Sequence, residues 1–171
     1  DEISRATYST VAVDDQLESR HMVEYLLGLG HRRIAIITEG SEEPSVGQLR
    51  LQGYMDALKA HGIPVEDDLI RFVDKNLEHY SMKNGYETTL KLVEDKVPFT
   101  ALFCISDRLA IGACRALAES GIRIPEQVSV AGFDGLEMGR YYTPRLTTIS
   151  QPLDMIARET IRLLFDIIAG E

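Results

Sequence analysis

The chain is poor in three things, and each shortage closes off a class of protein. It holds two cysteines in 171 residues. Cys104 and Cys114 form neither a CxxC spacing nor a Cys/His ligand pattern. That argues against a zinc module or a disulfide framework, and reduced, buried thiols in a cytoplasmic protein are expected instead. Positive charge is also short: 18 Lys and Arg stand against 27 Asp and Glu, a net charge of −9. A surface of that sign repels phosphates, so these residues by themselves are not expected to bind nucleic acid. Finally, no apolar run approaches the roughly 20 residues of a transmembrane helix. Residues 1–10 also lack the basic and apolar regions of a secretory signal, so no membrane partner is expected.

What remains is the composition of one globular domain, with 44 % apolar and 26 % charged residues. Roughly 70 % of the extended-chain surface is buried at this size, so the core needs no covalent staple.

Short apolar or β-branched runs alternate with helical patterns along the chain. Residues 10–13 read as a brief strand. Asp15 then has the position of a helix cap with Glu18 three residues on, and Gly30 fits the left-handed position that ends the helix. Ile34-Ala35-Ile36-Ile37 is apolar throughout, as a strand covered on both faces must be. The pattern recurs with a helix over 49–60, a strand over 69–73, a helix over 81–94 and a strand over 101–105. It continues with a helix from Ser106 or Asp107, a strand over 128–133 and a short strand over 146–149. Pro152 opens a last helix at its first position. The inner stripes expected are Leu51, Tyr54, Met55 and Leu58 on the second helix, and Met82, Tyr86, Leu90 and Val93 on the third. Short connections and uniformly apolar strands specify an α/β fold of three α/β/α layers around a mostly parallel sheet.

Ligands of such sheets bind at the carboxyl ends of the strands. Asp14, Ser106 with Asp107, Asp134, and Ser150 with Gln151 all follow strands there. Two loops overhang this edge, 41–50 with Arg50 and 74–81 with His79 and Tyr80. Carboxylates, an arginine, an amide and an aromatic ring suit a polyhydroxylated or heterocyclic small molecule. Each residue also has a plain structural role open to it. Asp107 reads as a helix N-cap and Asp134 as the cap of a turn. Arg50 has the role of an ion-pair partner, Tyr80 that of filler under its loop, and His31 that of a turn residue at the opposite edge. No GxSxG, HExxH, GxxxxGK[ST] or GxGxxG is present. Of the histidines only His79 reaches the ligand edge, so no catalytic residues, metal ligands or cofactor are assigned and the chain is not read as an enzyme.

Seven blocks then carry a resemblance. They are Val11-Ala12-Val13-Asp14-Asp15, Gly30-His31-Arg32-Arg33-Ile34-Ala35, Arg50-Leu51-Gln52-Gly53-Tyr54 and Ser106-Asp107-Arg108-Leu109-Ala110-Ile111-Gly112-Ala113. Gly121-Ile122-Arg123-Ile124-Pro125-Glu126, Val128-Ser129-Val130-Ala131-Gly132-Phe133-Asp134 and Pro144-Arg145-Leu146-Thr147-Thr148-Ile149-Ser150-Gln151-Pro152 complete the set. In this order they resemble the effector-binding core of LacI/GalR-family transcription regulators. The resemblance implies a periplasmic-binding-protein-like type I lobe. Residues 1–13 would end an amino-terminal lobe, 14–150 would form the carboxyl-terminal effector-binding lobe, and 151–171 would cross back, with the DNA-binding helix-turn-helix outside this chain. It implies effector contacts at Arg50, Asp134, Tyr80 and Ser106, with Asp14 and Gln151 at the crossovers. Ser106 stands where many sugar-binding members carry asparagine. The implied partners are a small-molecule effector (a sugar or sugar derivative, with a nucleoside or purine as second choice), a second copy in a homodimer, and operator DNA reached only through the missing module. The alternative reading is a periplasmic sugar-binding protein that feeds a transporter.

Overall fold

The computed structural model describes residues 9–40 and 45–169. Chain contacts divide it into two compact units, one of Asp15–Ser150 and one of the residues before and after that span.

The larger unit is built on five parallel strands, β1 (Ile34–Thr38), β2 (Ile70–Phe72), β3 (Ala101–Cys104), β4 (Ser129–Asp134) and β5 (Thr147–Ser150), in the order β2-β1-β3-β4-β5. β1 and β3 are buried at every position, as their unbroken apolar runs require. The helices are α1 (Asp15–Gly28), α2 (Val46–Ala60), α3 (Met82–Glu94), α4 (Asp107–Glu119) and a short α5 (Glu137–Tyr141) that the sequence pattern did not indicate. α1 packs on α2, and α3 packs on α4. The chain runs from β1 outward to β2 and then reverses to β3, so right-handed crossovers set α2 on the opposite face from α3 and α4. The expected three layers result.

Glycines set the spacing within each helix pair. A Cβ added at Gly53 would lie 2.1 Å from the Gln16 carbonyl oxygen on α1. One at Gly85 would lie 2.1 Å from the Leu109 carbonyl oxygen, and one at Gly112 would lie 1.9 Å from that of Met82. α3 therefore turns Asn84, Gly85, Thr88, Thr89 and Leu92 inward. The expected stripe is displaced: Met82 is exposed, and Tyr86, Leu90 and Val93 are only half-buried. Small residues win this face because only they allow the two backbones to touch. On α2, Tyr54 and Leu58 are buried as expected, but Gly47, Arg50, Gly53 and Ala57 take the remaining inner positions from Leu51 and Met55.

Two further expectations are corrected. Residues 10–13 form no strand, since no neighbouring strand among the described residues completes their hydrogen bonds. The last helix, α6 (Leu153–Ala169), begins after Pro152 rather than at it, and the Pro152 carbonyl accepts from the Met155 and Ile156 amides. α6 lies in the smaller unit and has no buried residue.

At the amino edge, His31 lies in the turn before β1 and reaches the residue before β3 and the first residue of β4. Its ring nitrogens lie 2.9 Å from the Thr100 hydroxyl and 3.1 Å from that of Ser129. Cys104 and Cys114 are free and buried, and burial pushes both thiols up, Cys114 to about 12.

Candidate functional site

Three strand ends and the start of a helix meet where the sheet order reverses. β1 runs into Glu39, β3 into Ile105 and Ser106, β4 ends on Asp134, and α2 brings Arg50 beneath them. Helix α2 is fixed there by Ser45, whose hydroxyl accepts from the Gln48 amide, and by Gly47, whose carbonyl accepts from the Thr38 hydroxyl.

Arg50 is 5 % exposed. Its Nε and Nη2 bind the same oxygen of Asp15 at 2.8 and 2.7 Å, and Nη1 donates to the Ile105 carbonyl. The guanidinium lies 3.5 Å from the centroid of the buried Phe133 ring, a cation–π contact. Asp134 stands 3.7 Å from Nη1, too far for a direct hydrogen bond. Of the five guanidinium donors, three are committed to Asp15 and Ile105. Of the other two, on Nη1 and Nη2, it is Nη1 that lies near Asp134. Arg50 is thus a held donor fork, and Asp15 is the residue that holds it. Asp15 had the look of a helix cap, and nothing in its local sequence marks a residue 35 positions away as its partner.

The aspartate is set by its backbone. Asp134 has φ +120°, a conformation that non-glycine residues rarely adopt, and Gly135 follows at φ +73°. A Cβ on Gly135 would lie 2.7 Å from the Ser150 Cα, so the turn is pressed against β5. The Asp134 side chain is about a quarter exposed and so remains reachable from solvent.

The cap of α4 is Ser106, not Asp107. The Ser106 hydroxyl accepts from the Leu109 amide at 3.2 Å, and the residue is buried. Asp107 instead ties the neighbouring turn, accepting from the Thr148 hydroxyl at 2.5 Å and the Leu136 amide at 2.6 Å. Burial pushes its carboxyl up. The cap goes to serine because its one-carbon reach fits the third amide, leaving Asp107 to span the gap to β5.

Tyr80 comes from the loop between β2 and α3. Asn84, fully buried, pins that loop: its side-chain oxygen accepts from the Asp74 amide and its nitrogen donates to the Asp74 carbonyl, at 2.8 and 2.9 Å. The Tyr80 hydroxyl is pushed up, first by burial and then by the carboxylate of Glu39, to which it is hydrogen-bonded. The charges of Arg50 and Asp134 also act on it. Arg50, Asp134, Ser106 and Tyr80 are therefore gathered at one edge. Asp14 and Gln151 fall in the smaller unit. Of the overhanging loop 41–50, residues 41–44 lie outside the described residues.

A parallel sheet with a held guanidinium, a reachable carboxylate and an aromatic ring at its order reversal has the build of a small-molecule-binding α/β lobe. The model of the periplasmic binding protein-like domain matches residues 23–171, and the chain belongs to that family. It is 36 % identical to the probable HTH-type transcriptional repressor ExuR of Bacillus subtilis, over 91 % of this chain and 45 % of that protein. It is likewise 36 % identical to the HTH-type transcriptional repressor CytR of Escherichia coli K12, over 95 % of this chain and 46 % of that one. Among solved structures, the transcriptional regulator CelR in complex with cellobiose matches with a TM-score of 0.83 and 34 % identity, over 92 % of this chain and 46 % of that one. The chain thus spans about half the length of the curated relatives it matches.

Proposed function

We propose that this chain is the effector-sensing part of a cytoplasmic, homodimeric transcriptional regulator, and that its effector is a small neutral polyol of the sugar class. The observation that carries this reading is the Arg50–Asp134 pair. A donor fork immobilised by Asp15 and Ile105 faces an acceptor 3.7 Å away. Vicinal hydroxyls match that arrangement, because one hydroxyl accepts from the guanidinium while its neighbour donates to the carboxylate. The ring of Tyr80 covers an apolar sugar face, Ser106 lines the floor, and Asp14 and Gln151 serve at the crossovers to a second lobe. Effector shifts the protein toward a closed form only through its higher affinity for that form. The chain binds and performs no chemistry. DNA is contacted by another part of the protein, in keeping with the net charge of −9 here. The curated relatives are repressors, which favours the regulator over a transporter's binding protein.

The test is a thermal-shift panel of sugars and nucleosides on the full-length protein, with operator binding measured alongside. A sugar raises the wild-type melting temperature. Asp134→Asn, which keeps the size and the tolerance of positive φ, abolishes that rise and leaves operator affinity within about twofold, since the pair makes no DNA contact. An undiminished response in Asp134→Asn overturns the site.

A further inference from the structure

Glu39, the first residue past β1, is a carboxylate that the site above does not use. It is only 8 % exposed, and a buried charge at a strand end needs a reason. Its surroundings supply four donors from two different segments. The Gly47 amide, in the first turn of α2, donates to Oε1 at 3.1 Å, and the Ser45 hydroxyl is a second partner from that turn. The Tyr80 hydroxyl and His79 come from the other loop, with His79 Nδ1 3.5 Å from Oε2. The contact with α2 is built for this side chain: a Cβ at position 47 would sit 2.2 Å from the Glu39 Cγ. Burial is the largest influence on the carboxyl and pushes it up. The hydrogen bonds from Ser45, Tyr80, Gly47 and His79 together outweigh it and hold the acid below its ordinary value, so it is ionised at neutral pH. A carboxylate on the first amides of a helix is favourable in its own right, and here the same group reaches a second segment.

We propose that Glu39 is a positioning residue of the ligand edge. It locks the start of α2, the helix carrying Arg50, to the loop carrying Tyr80, so that the aromatic ring is held ready beside the Arg50–Asp134 pair before any ligand arrives. This rests on the effector reading above and assigns that site its preorganising element. Without Glu39 the Tyr80 hydroxyl loses its acceptor, and the cost of ordering the ring falls on ligand binding.

The test uses the full-length protein with 3-fluorotyrosine placed at position 80, read by fluorine NMR without ligand, and with ribose, glucose and cellobiose as binding probes. In wild type the fluorine resonance is displaced from its denatured position; in Glu39→Gln it moves toward that position while the melting curve stays cooperative. For the sugar that binds wild type, Glu39→Gln and Tyr80→Phe each weaken affinity by about tenfold, as loss of one charge-assisted hydrogen bond implies. The double variant is no weaker than the worse single one, because both cut the same link. Tyr80→Phe cuts it from the half-exposed side and so bears no folding risk from the buried acid. An unchanged fluorine resonance in Glu39→Gln, or affinity losses that multiply in the double variant, overturns the proposal. A fluorine resonance that responds while none of the sugars binds wild type leaves Glu39's hold on Tyr80 standing and counts against the sugar reading alone.

Discussion

At the residue scale the decisive feature is that Arg50, proposed above as an effector contact, is also a structural ion. Both it and Asp15 are nearly sealed from water, and a buried pair that loses one partner leaves the other charge uncompensated. Arg50→Met is therefore expected to cost about 3–5 kcal/mol of stability, and Asp15→Asn a comparable amount. The double variant should cost clearly less than their sum, since neither charge is then stranded. Urea unfolding of the three variants measures this, and strictly additive costs would show that the pair is not coupled. A lost ligand response in an Arg50 variant consequently reports on folding as well as on binding, and Asp134 is the cleaner probe. The place of Arg50 and Asp134 at the carboxyl edge was legible in the sequence because Arg50 follows a strand of a parallel sheet and Asp134 ends one. The roles of Asp15 and Glu39 were not. Asp15 already satisfied a local expectation as a helix cap, and Glu39 was one polar residue at the head of a polar loop. Their partners lie 35 positions away for Asp15, and 8 and 40 positions away for Glu39, distances that no local pattern encodes.

At the element scale, the five strands of the sheet and the five longer helices were readable because their apolar periods are strong and their ends carry glycine, proline and serine, whereas α5 and the absence of a strand over 10–13 were not. The packing faces were less readable. An apolar stripe predicts the inner face only when helices are held apart by large side chains. On α3 and α4 they are not, and Gly85 and Gly112 place backbone directly on backbone. Neither neighbour can yield by turning a rotamer, since a carbonyl oxygen of the opposite helix blocks each added methyl. Gly85→Ala and Gly112→Ala are each expected to destabilise by about 1–3 kcal/mol, the usual range for overpacking, despite the gain in helix propensity. Gly28→Ala is the control. Nothing lies within 4 Å of its added Cβ and its φ is ordinary, so the unfolded-state effect should leave it stabilised by about 0.4–1 kcal/mol. Thermal or denaturant melts that rank Gly28→Ala with the other two would remove the close-contact explanation.

At the scale of the whole molecule, the alternation of strand and helix announced a parallel sheet but left its order open. The order β2-β1-β3-β4-β5 depends on where the chain reverses, and only that reversal gathers Arg50, Glu39 and Asp134. The smaller unit raises a different question. Along α6, Leu153, Met155, Ile161, Leu164, Phe165, Ile167 and Ile168 are each more than half exposed. Scattered apolar side chains on a surface need no explanation, but seven on one 17-residue helix form a surface that water solvates poorly. The net charge of −9 opposes association over distance, yet it is screened within about 10 Å at ordinary salt, and the apolar faces meet closer than that. The 171-residue chain by itself is therefore expected to associate through α6. In sedimentation runs its average mass should climb above 19.1 kDa as concentration rises, more steeply at higher salt. Phe165→Glu combined with Ile168→Glu should hold the mass at the monomer value at all concentrations. A wild-type chain that stays monomeric throughout, or a double variant that associates as before, would show that α6 is not the adhesive surface.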